Sequence, residues 1–114
     1  MSIKPTDFFH QLTNNGIEFF TGVPDSLLKE FCLCVNDNVS DLDHIITANE
    51  GNAIALAAGN YMAKKSIPLV YMQNSGLGNA INPLFSIAHK KVYSIPLLLL
   101  IGWRGSKKKH DEPQ

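Results

Sequence analysis

The feature that most constrains this chain is a regular alternation of helix-forming segments with short, wholly apolar runs. Runs of roughly four to eight apolar residues without polar alternation are typical of strands that are buried on both faces. Parallel strands require a crossover between them, and the crossover helices then cover the sheet. The sequence therefore predicts an α/β domain of three layers, with a mostly parallel sheet and helices on both faces.

Capping and turn residues at the ends of the apolar patterns place the individual elements. The predicted helices begin at Thr6 or Asp7, at Asp25 or Ser26, at Asn52 and near Asn79. The predicted strands are residues 17–21, 44–47, 68–73 and 96–101. In a parallel sheet, ligands bind beyond the carboxyl ends of the strands. Polar and glycine residues follow all four predicted strands, which indicates a ligand site at that rim.

Composition limits the classes of function. The 114 residues make at most one domain, and ten basic side chains balance ten acidic ones. This balance provides no long-range field for nucleic acid or an anionic membrane. No apolar run approaches the roughly 20 residues of a membrane helix, and the N-terminus lacks a signal-peptide core. Two cysteines are too few for a disulfide framework, so a cytoplasmic protein with reduced thiols is expected.

Common catalytic motifs are missing from the rim. The sequence has no G-x-x-x-x-G-K-[ST] phosphate loop, no G-x-S-x-G nucleophile turn and no metal-ligand spacing. Residues 76–78 carry only Gly-Leu-Gly, which suits either a tight turn or the close approach of a flat ligand. No metal ligand is therefore predicted, and two carboxylates, Asp25 and Glu50, remain as candidates.

Each carboxylate has a structural alternative. Asp25 suits a helix N-cap, and Glu50 suits a first-turn acid that the helix dipole stabilises. Near the rim, the two carboxylates are expected to face each other across the crevice. Glu50 is also expected to be poorly solvated, which would let it share a proton with a ring nitrogen. Its expected apolar neighbours are Ile46, Ala48, Ala53 and Ile54.

Three segments in order resemble the thiamine-diphosphate enzymes. Residues 50–53 (Glu-Gly-Asn-Ala), followed by an alanine-rich helix, resemble the invariant-glutamate segment of that family. Residues 20–26 are similar to the first loop of its pyrimidine-binding domain, and residues 73–79 resemble the loop that meets the aminopyrimidine. Residues 71–79, 100–105 and 111–114 resemble, more narrowly, the phosphonopyruvate decarboxylases of the family. The resemblance covers nearly the whole chain.

The resemblance implies roles for individual residues. Glu50 would hydrogen-bond the pyrimidine ring nitrogen and favour its imino tautomer, and Asp25 would lie near the substrate for proton transfer. Arg104 would hold an anionic substrate, although a plain surface role suits it equally. The residues implied in cofactor binding are Glu50, Pro24, Asn74, Ser75 and Gly76.

The resemblance also implies a reaction. The family decarboxylates 2-oxo acids, and here the expected conversion is 3-phosphonopyruvate to phosphonoacetaldehyde and carbon dioxide. The family binds the cofactor's diphosphate and Mg²⁺ through a Gly-Asp-Gly motif, which this sequence lacks. The resemblance further implies that the sequence ends before the last strands usual for a pyrimidine-binding domain. Residues 1–105 are therefore expected to be an incomplete domain of this kind, followed by a polar tail at 106–114.

Such a chain would be inactive alone. It would bind only the pyrimidine end of thiamine diphosphate, and a second domain of the same or another chain would hold the Mg²⁺. A homo-oligomer is also expected. One alternative is the alpha subunit of a two-chain sulfopyruvate decarboxylase. The other is a non-catalytic remnant that dimerises through its alanine-rich helix.

Overall fold

The computed structural model describes residues 2–105, so the predicted polar tail at 106–114 lies outside the described residues. Four parallel strands form one sheet in the order β2-β1-β3-β4. The strands are β1 (Phe20–Gly22), β2 (His44–Ile46), β3 (Leu69–Gln73) and β4 (Leu98–Gly102). The predicted parallel sheet is confirmed, and the strands are shorter than the apolar runs that predicted them.

The first helix precedes β1, and the other three helices of the described residues connect each strand to the next. The helices are α1 (Pro5–Asn14), α2 (Lys29–Asn38), α3 (Glu50–Lys64) and α4 (Leu77–Pro83). Short 3₁₀ turns at Ser26–Leu28 and Asn74–Gly76 precede α2 and α4, and a π turn at Leu84–Ala88 follows α4. Among residues 2–105, no helix has both the length and the apolar character needed to cross a bilayer.

Several helix ends differ from the prediction. Helix α1 begins at Pro5, with Lys4 at its N-cap position and no side-chain cap, so the predicted start at Thr6 or Asp7 is wrong. Helix α4 begins at Leu77 rather than near Asn79.

Helix α3 begins at Glu50 rather than Asn52, because the Asn49 side chain caps it by accepting a 2.9 Å hydrogen bond from the Asn52 N–H. The predicted fourth helix is α-helical only to Pro83. Proline lacks an N–H, which removes one bond of the helical ladder where the π turn begins.

The strand residues alternate between two hydrophobic cores. Leu69 and Tyr71 of β3 pack in one core with residues of α1 and α2, whereas Val70 and Met72 pack in the other core with residues of α3 and α4. The three predicted layers are therefore confirmed, with α1 and α2 on one face of the sheet and α3 and α4 on the other.

A buried Tyr–His pair crosses the sheet on the α2 face. The Tyr71 hydroxyl lies 2.9 Å from Nε2 of His44, although β1 separates their strands. The Tyr71 ring passes over Gly22 of β1, where a Cβ atom would lie 2.7 Å from Tyr71 Cδ2. Burial lowers the pKa of His44, although the nearby Asp41 opposes this shift, and burial raises the pKa of Tyr71.

We expect His44 to make the fold less stable in mild acid. The unfolded chain protonates this histidine near pH 6.5, whereas the folded chain protonates it at lower pH, so the unfolded state binds more protons in between. The free energy of unfolding should therefore fall as the pH decreases below about 6.5. Urea titrations at stepped pH values between neutrality and mild acid measure this slope.

The matched variants are His44→Gln and His10→Gln. Glutamine can hydrogen-bond the Tyr71 hydroxyl but does not titrate, so His44→Gln should flatten the slope. His10 is exposed on α1, and its replacement should leave the slope unchanged. An equal slope in the wild type and His44→Gln would show that His44 does not carry the pH dependence.

Candidate functional site

The residues predicted to form the site lie together at the carboxyl rim of the sheet. Asp25 follows β1, Glu50 is the first residue of α3 after β2, residues 74–76 follow β3, and Arg104 follows β4. All four strands are parallel, so these positions share one edge of the sheet. The topology therefore brings the predicted residues to one rim, and their role as a ligand site stays a prediction.

Glu50 lies directly against the main chain of Gly76. Its Oε2 accepts a 2.9 Å hydrogen bond from the Asn79 side chain. A Cβ atom at position 76 would overlap the Glu50 carboxyl group, so only glycine leaves room for this contact. Within residues 2–105, the side-chain hydrogen bonds of Glu50 involve Oε2 alone, and Oε1 remains available as an acceptor.

The surroundings of Glu50 are only partly as expected. Ala53 and Ile54 are buried in the core between α3 and the sheet. Ile46 is 61% exposed and Ala48 is exposed, so the expectation that they enclose Glu50 is wrong. The β2 strand is at the edge of the sheet, which leaves its end open on that side. Glu50 is accordingly half-buried.

Asp25 is held more tightly, with only 3% of its side chain exposed. Its Oδ2 accepts a hydrogen bond from the Leu27 N–H, which confirms the N-cap interpretation. Its Oδ1 accepts one hydrogen bond from Gln73 Nε2 and a second, ionic one from Arg104 Nε, both at 3.1 Å. A Cβ atom at Gly102 would overlap Asp25 Oδ2, so glycine is required there as well.

Arg104 reaches across β3 to the β1 loop. Besides the ion pair with Asp25, its guanidinium donates a hydrogen bond to the Ser26 hydroxyl. The Asn74 side chain hydrogen-bonds both main-chain groups of Arg104. The Arg104 side chain is thus 23% exposed and engaged by two partners, and its role toward a substrate stays a prediction.

Pro24 and Ser75 are exposed at the rim. Pro24 lines a groove of about 460 Å³ between α2 and the edge strand β2. The Ser75 hydroxyl donates to Oε1 of Gln73, whose amide group holds Asp25. Both residues are therefore accessible to a ligand, as the resemblance requires.

The contacts of the two carboxylates show on which side of the sheet each one lies, and their facing each other across the crevice stays a prediction. Asp25 is bonded to Gln73, which continues the Leu69–Tyr71 series of side chains on the α2 face. Glu50 begins α3, which packs on the opposite face. Since α2 and α3 cover different faces, Asp25 and Glu50 lie toward opposite sides of the rim, and no hydrogen bond joins them within residues 2–105.

Three residues of the site were not predicted from the sequence. Asn79 binds Glu50, Gln73 binds Asp25, and Gly102 leaves room for Asp25. Gln73 is the polar end of an otherwise apolar strand, which was an available signal. The contacts of Asn79 and Gly102 join residues that are distant in sequence, and no local pattern indicates them.

Other chemistry finds little support in the part of the chain that the structure describes. Within residues 2–105, no group of three or more His, Cys, Asp or Glu side chains is placed to hold a metal ion. Cys32 and Cys34 are free thiols. Burial, with a smaller contribution from Asp25, raises the pKa of Cys32 to about 11, so this thiol is largely protonated at neutral pH.

The site can engage a flat nitrogen heterocycle. Glu50 has one oxygen anchored by Asn79, and within residues 2–105 its other oxygen accepts no side-chain hydrogen bond, so it can accept one from a ring nitrogen. The absent side chain of Gly76 makes room for this carboxylate, which lies against the main chain there. These two features fit the pyrimidine that the sequence resemblance implied.

Two curated relatives are similar to this chain in sequence. The chain is 38% identical over 100 residues to the sulfopyruvate decarboxylase subunit alpha of Methanococcus maripaludis, covering 88% of this chain and 58% of the relative. It is 36% identical over 114 residues to the phosphonopyruvate decarboxylase of Streptomyces hygroscopicus, covering 98% of this chain and 27% of the relative. The chain thus spans about half the length of the first relative and about a quarter of the length of the second.

A solved structure and a family model agree with the fold. A thiamin diphosphate-dependent enzyme from Mycobacterium smegmatis, described as putative, superposes with a TM-score of 0.73 at 24% identity, over 95% of this chain and 20% of that one. The model of the N-terminal TPP binding domain of thiamine pyrophosphate enzymes matches residues 6–114. The chain therefore belongs to the thiamine pyrophosphate enzyme family, in which it corresponds to the N-terminal TPP binding domain.

Proposed function

We propose that this chain is the pyrimidine-binding part of a thiamine-diphosphate-dependent 2-oxo acid decarboxylase. The preferred reaction converts 3-phosphonopyruvate to phosphonoacetaldehyde and carbon dioxide. The observation that carries the proposal is the packing of Glu50 against the bare main chain of Gly76, with one carboxylate oxygen anchored and the other free. When bound, thiamine diphosphate supplies a carbon nucleophile and an electron sink for the pair that decarboxylation leaves behind.

The proposal gives each residue of the rim a task. Glu50 hydrogen-bonds the pyrimidine ring nitrogen and fixes its tautomer. Ser75, Gly76, Asn74 and Pro24 form the wall of the pyrimidine pocket on either side. Asp25 and Arg104 face the substrate, where Asp25 handles a proton and the Arg104 guanidinium offers its remaining N–H groups to an anionic substituent.

A second domain is part of the proposal. Residues 1–105 serve as the pyrimidine-binding domain, and a diphosphate-binding domain of the same or another chain holds the diphosphate and Mg²⁺. The active unit is then an oligomer in which the two kinds of domain meet. We place this unit in the cytoplasm, where the thiols of Cys32 and Cys34 stay reduced.

The second candidate is the alpha subunit of a two-chain sulfopyruvate decarboxylase. It is favoured by the larger shared fraction of the relative, 58% for the sulfopyruvate decarboxylase subunit against 27% for the phosphonopyruvate decarboxylase. Phosphonopyruvate and sulfopyruvate are both 2-oxo acids with a second anionic group, so the same rim suits either one. The choice between them rests on measurement of both substrates.

Reconstitution tests the function. The purified chain is combined with a separately produced diphosphate-binding polypeptide of a relative, thiamine diphosphate and Mg²⁺, and sedimentation first establishes that the two associate. We expect carbon dioxide release from phosphonopyruvate by the complex and none by either polypeptide alone. Faster turnover of sulfopyruvate would favour the second candidate.

Two outcomes would contradict the proposal in different ways. Turnover by the chain alone would show that it needs no second domain. A stable complex that binds thiamine diphosphate but decarboxylates neither acid would favour the non-catalytic remnant. A variant away from the rim, Asn14→Ala at the end of α1, serves as a control because this exposed residue has no part in the proposed site.

A further inference from the structure

The Asn74 side chain closes a gap beyond the end of the β3–β4 ladder. The last residue pair of the ladder between β3 and β4 is Gln73 with Gly102, and no further ladder pair follows it within residues 2–105. Asn74 Nδ2 then donates a 3.0 Å hydrogen bond to the Arg104 carbonyl, and its Oδ1 accepts a 3.1 Å hydrogen bond from the Arg104 N–H. Both polar groups of this carboxamide are therefore directed at the main chain of one residue.

The Asn74 contacts determine where the Arg104 side chain can reach. With its main chain fixed beside β3, Arg104 places Nε 3.1 Å from Asp25 Oδ1 and a terminal nitrogen on the Ser26 hydroxyl. Beyond Gly102, Asn74 supplies both hydrogen bonds that the described structure gives to the Arg104 main chain. Without them, the arginine would have to order a free segment to make the same ion pair, at an entropic cost.

Asp25 depends on this arrangement in turn. Its carboxylate is 3% exposed and accepts hydrogen bonds from Arg104, Gln73 and the Leu27 N–H. Removal of a charged partner from a buried carboxylate leaves a poorly solvated charge, which costs more than the loss of a neutral hydrogen bond. The orientation of Asp25 at the rim is thus coupled to Arg104, and through Arg104 to Asn74.

We propose that Asn74 is a positioning residue that fixes the Arg104 main chain and thereby holds the Arg104–Asp25 ion pair at the substrate side of the rim. In this role the carboxamide acts on the protein main chain, in addition to the place of Asn74 in the proposed pocket wall. The catalytic consequence rests on the proposed function, whereas the positioning itself is a property of this chain alone. It is therefore measurable without substrate or cofactor.

The sequence offers two unique probes. Arg104 is the only arginine and Trp103 the only tryptophan of the chain. In ¹⁵N-labelled protein, a single arginine Nε–H signal reports the ion pair through its rate of exchange with water. Acrylamide quenching of Trp103 fluorescence reports the mobility of the same segment, because this side chain is 61% exposed.

Asn74→Ala should raise the Nε–H exchange rate by about tenfold or more, since a charge-assisted hydrogen bond is weakened. Trp103 quenching should increase in parallel. Asn74→Asp retains an acceptor for the Arg104 N–H but loses the donor to its carbonyl, so an intermediate effect is expected. Asn14→Ala, at an exposed position of α1, is the matched surface control and should change neither signal.

Val35→Ala is the control for a general loss of stability. It leaves a cavity in the core under α2, and Val35 is not part of the rim. At temperatures where both variants remain folded by circular dichroism, Val35→Ala should leave the Nε–H signal unchanged. Unchanged exchange and quenching in Asn74→Ala would overturn the proposal.

Discussion

Replacement of Glu50 by glutamine is expected to reduce decarboxylation by the reconstituted complex by about a hundredfold or more, because a carboxylate that shares a proton with the cofactor ring is lost. The amide can still accept the hydrogen bond that Asn79 donates to Oε2, so the side chain keeps its place against Gly76. The substitution therefore removes the charge of the side chain and keeps its size and shape. The turnover number at saturating substrate and cofactor is the quantity to measure.

The structural alternative for Glu50 predicts a different result. As a first-turn acid of α3, Glu50 interacts with the helix dipole and stabilises the helix by about 0.3–1 kcal/mol. In that case its loss would lower the free energy of unfolding without a large effect on the decarboxylation rate. Glu30→Gln is the matched control, because Glu30 is the exposed first-turn acid of α2. A turnover number for Glu50→Gln equal to that of Glu30→Gln would leave Glu50 only its structural role.

Much of the fold was predictable because the strands of a parallel sheet are buried on both faces and therefore consist mainly of apolar residues. Strand ends were less predictable. Ile17 and Phe19 are buried and apolar like strand residues, yet the β1 ladder begins only at Phe20. Pairing with β2 and β3 decides this boundary, and both partners lie far along the chain.

The site was predictable to the level of its rim and its two carboxylates. Glu50 and Asp25 follow strands, and a parallel sheet gathers strand ends at one edge. The faces on which they lie were not predictable, since this depends on whether α2 and α3 cover the same side. The contacts of Asn74 with Arg104 and of Gly102 with Asp25 were likewise hidden, because each joins residues from different strand ends.

Gly22 shows how a single glycine of the central strand joins the sheet to the residues around it. It lies between β2 and β3, opposite Ile46 and Tyr71. A Cβ atom at this position would overlap the main-chain oxygen of Tyr71, which accepts a 3.2 Å hydrogen bond from the Val23 N–H. It would also lie 2.7–2.8 Å from atoms of the Tyr71 ring.

Gly22→Ala is therefore expected to destabilise the chain by about 3 kcal/mol or more, at the upper end of overpacking substitutions. A clash with main chain cannot be relieved by a change of rotamer, so the sheet itself must shift. Gly59→Ala is the control, because a methyl group added at Gly59 on α3 would meet no neighbouring atom within 4 Å and should gain about 0.5–1 kcal/mol of helix stability. Urea titration of both variants gives the two free energies.

Backbone conformation and lack of space act in the same direction at Gly22, because its φ of +159° is one that residues with a Cβ rarely adopt. Backbone strain alone would destabilise Gly22→Ala without moving Tyr71. The clash with Tyr71 must also separate Tyr71 from His44. Loss of the pH dependence assigned to His44 in a still-folded Gly22→Ala protein would link Gly22 to the His44–Tyr71 pair. A free energy of unfolding within about 0.5 kcal/mol of wild type would show that position 22 does not require glycine.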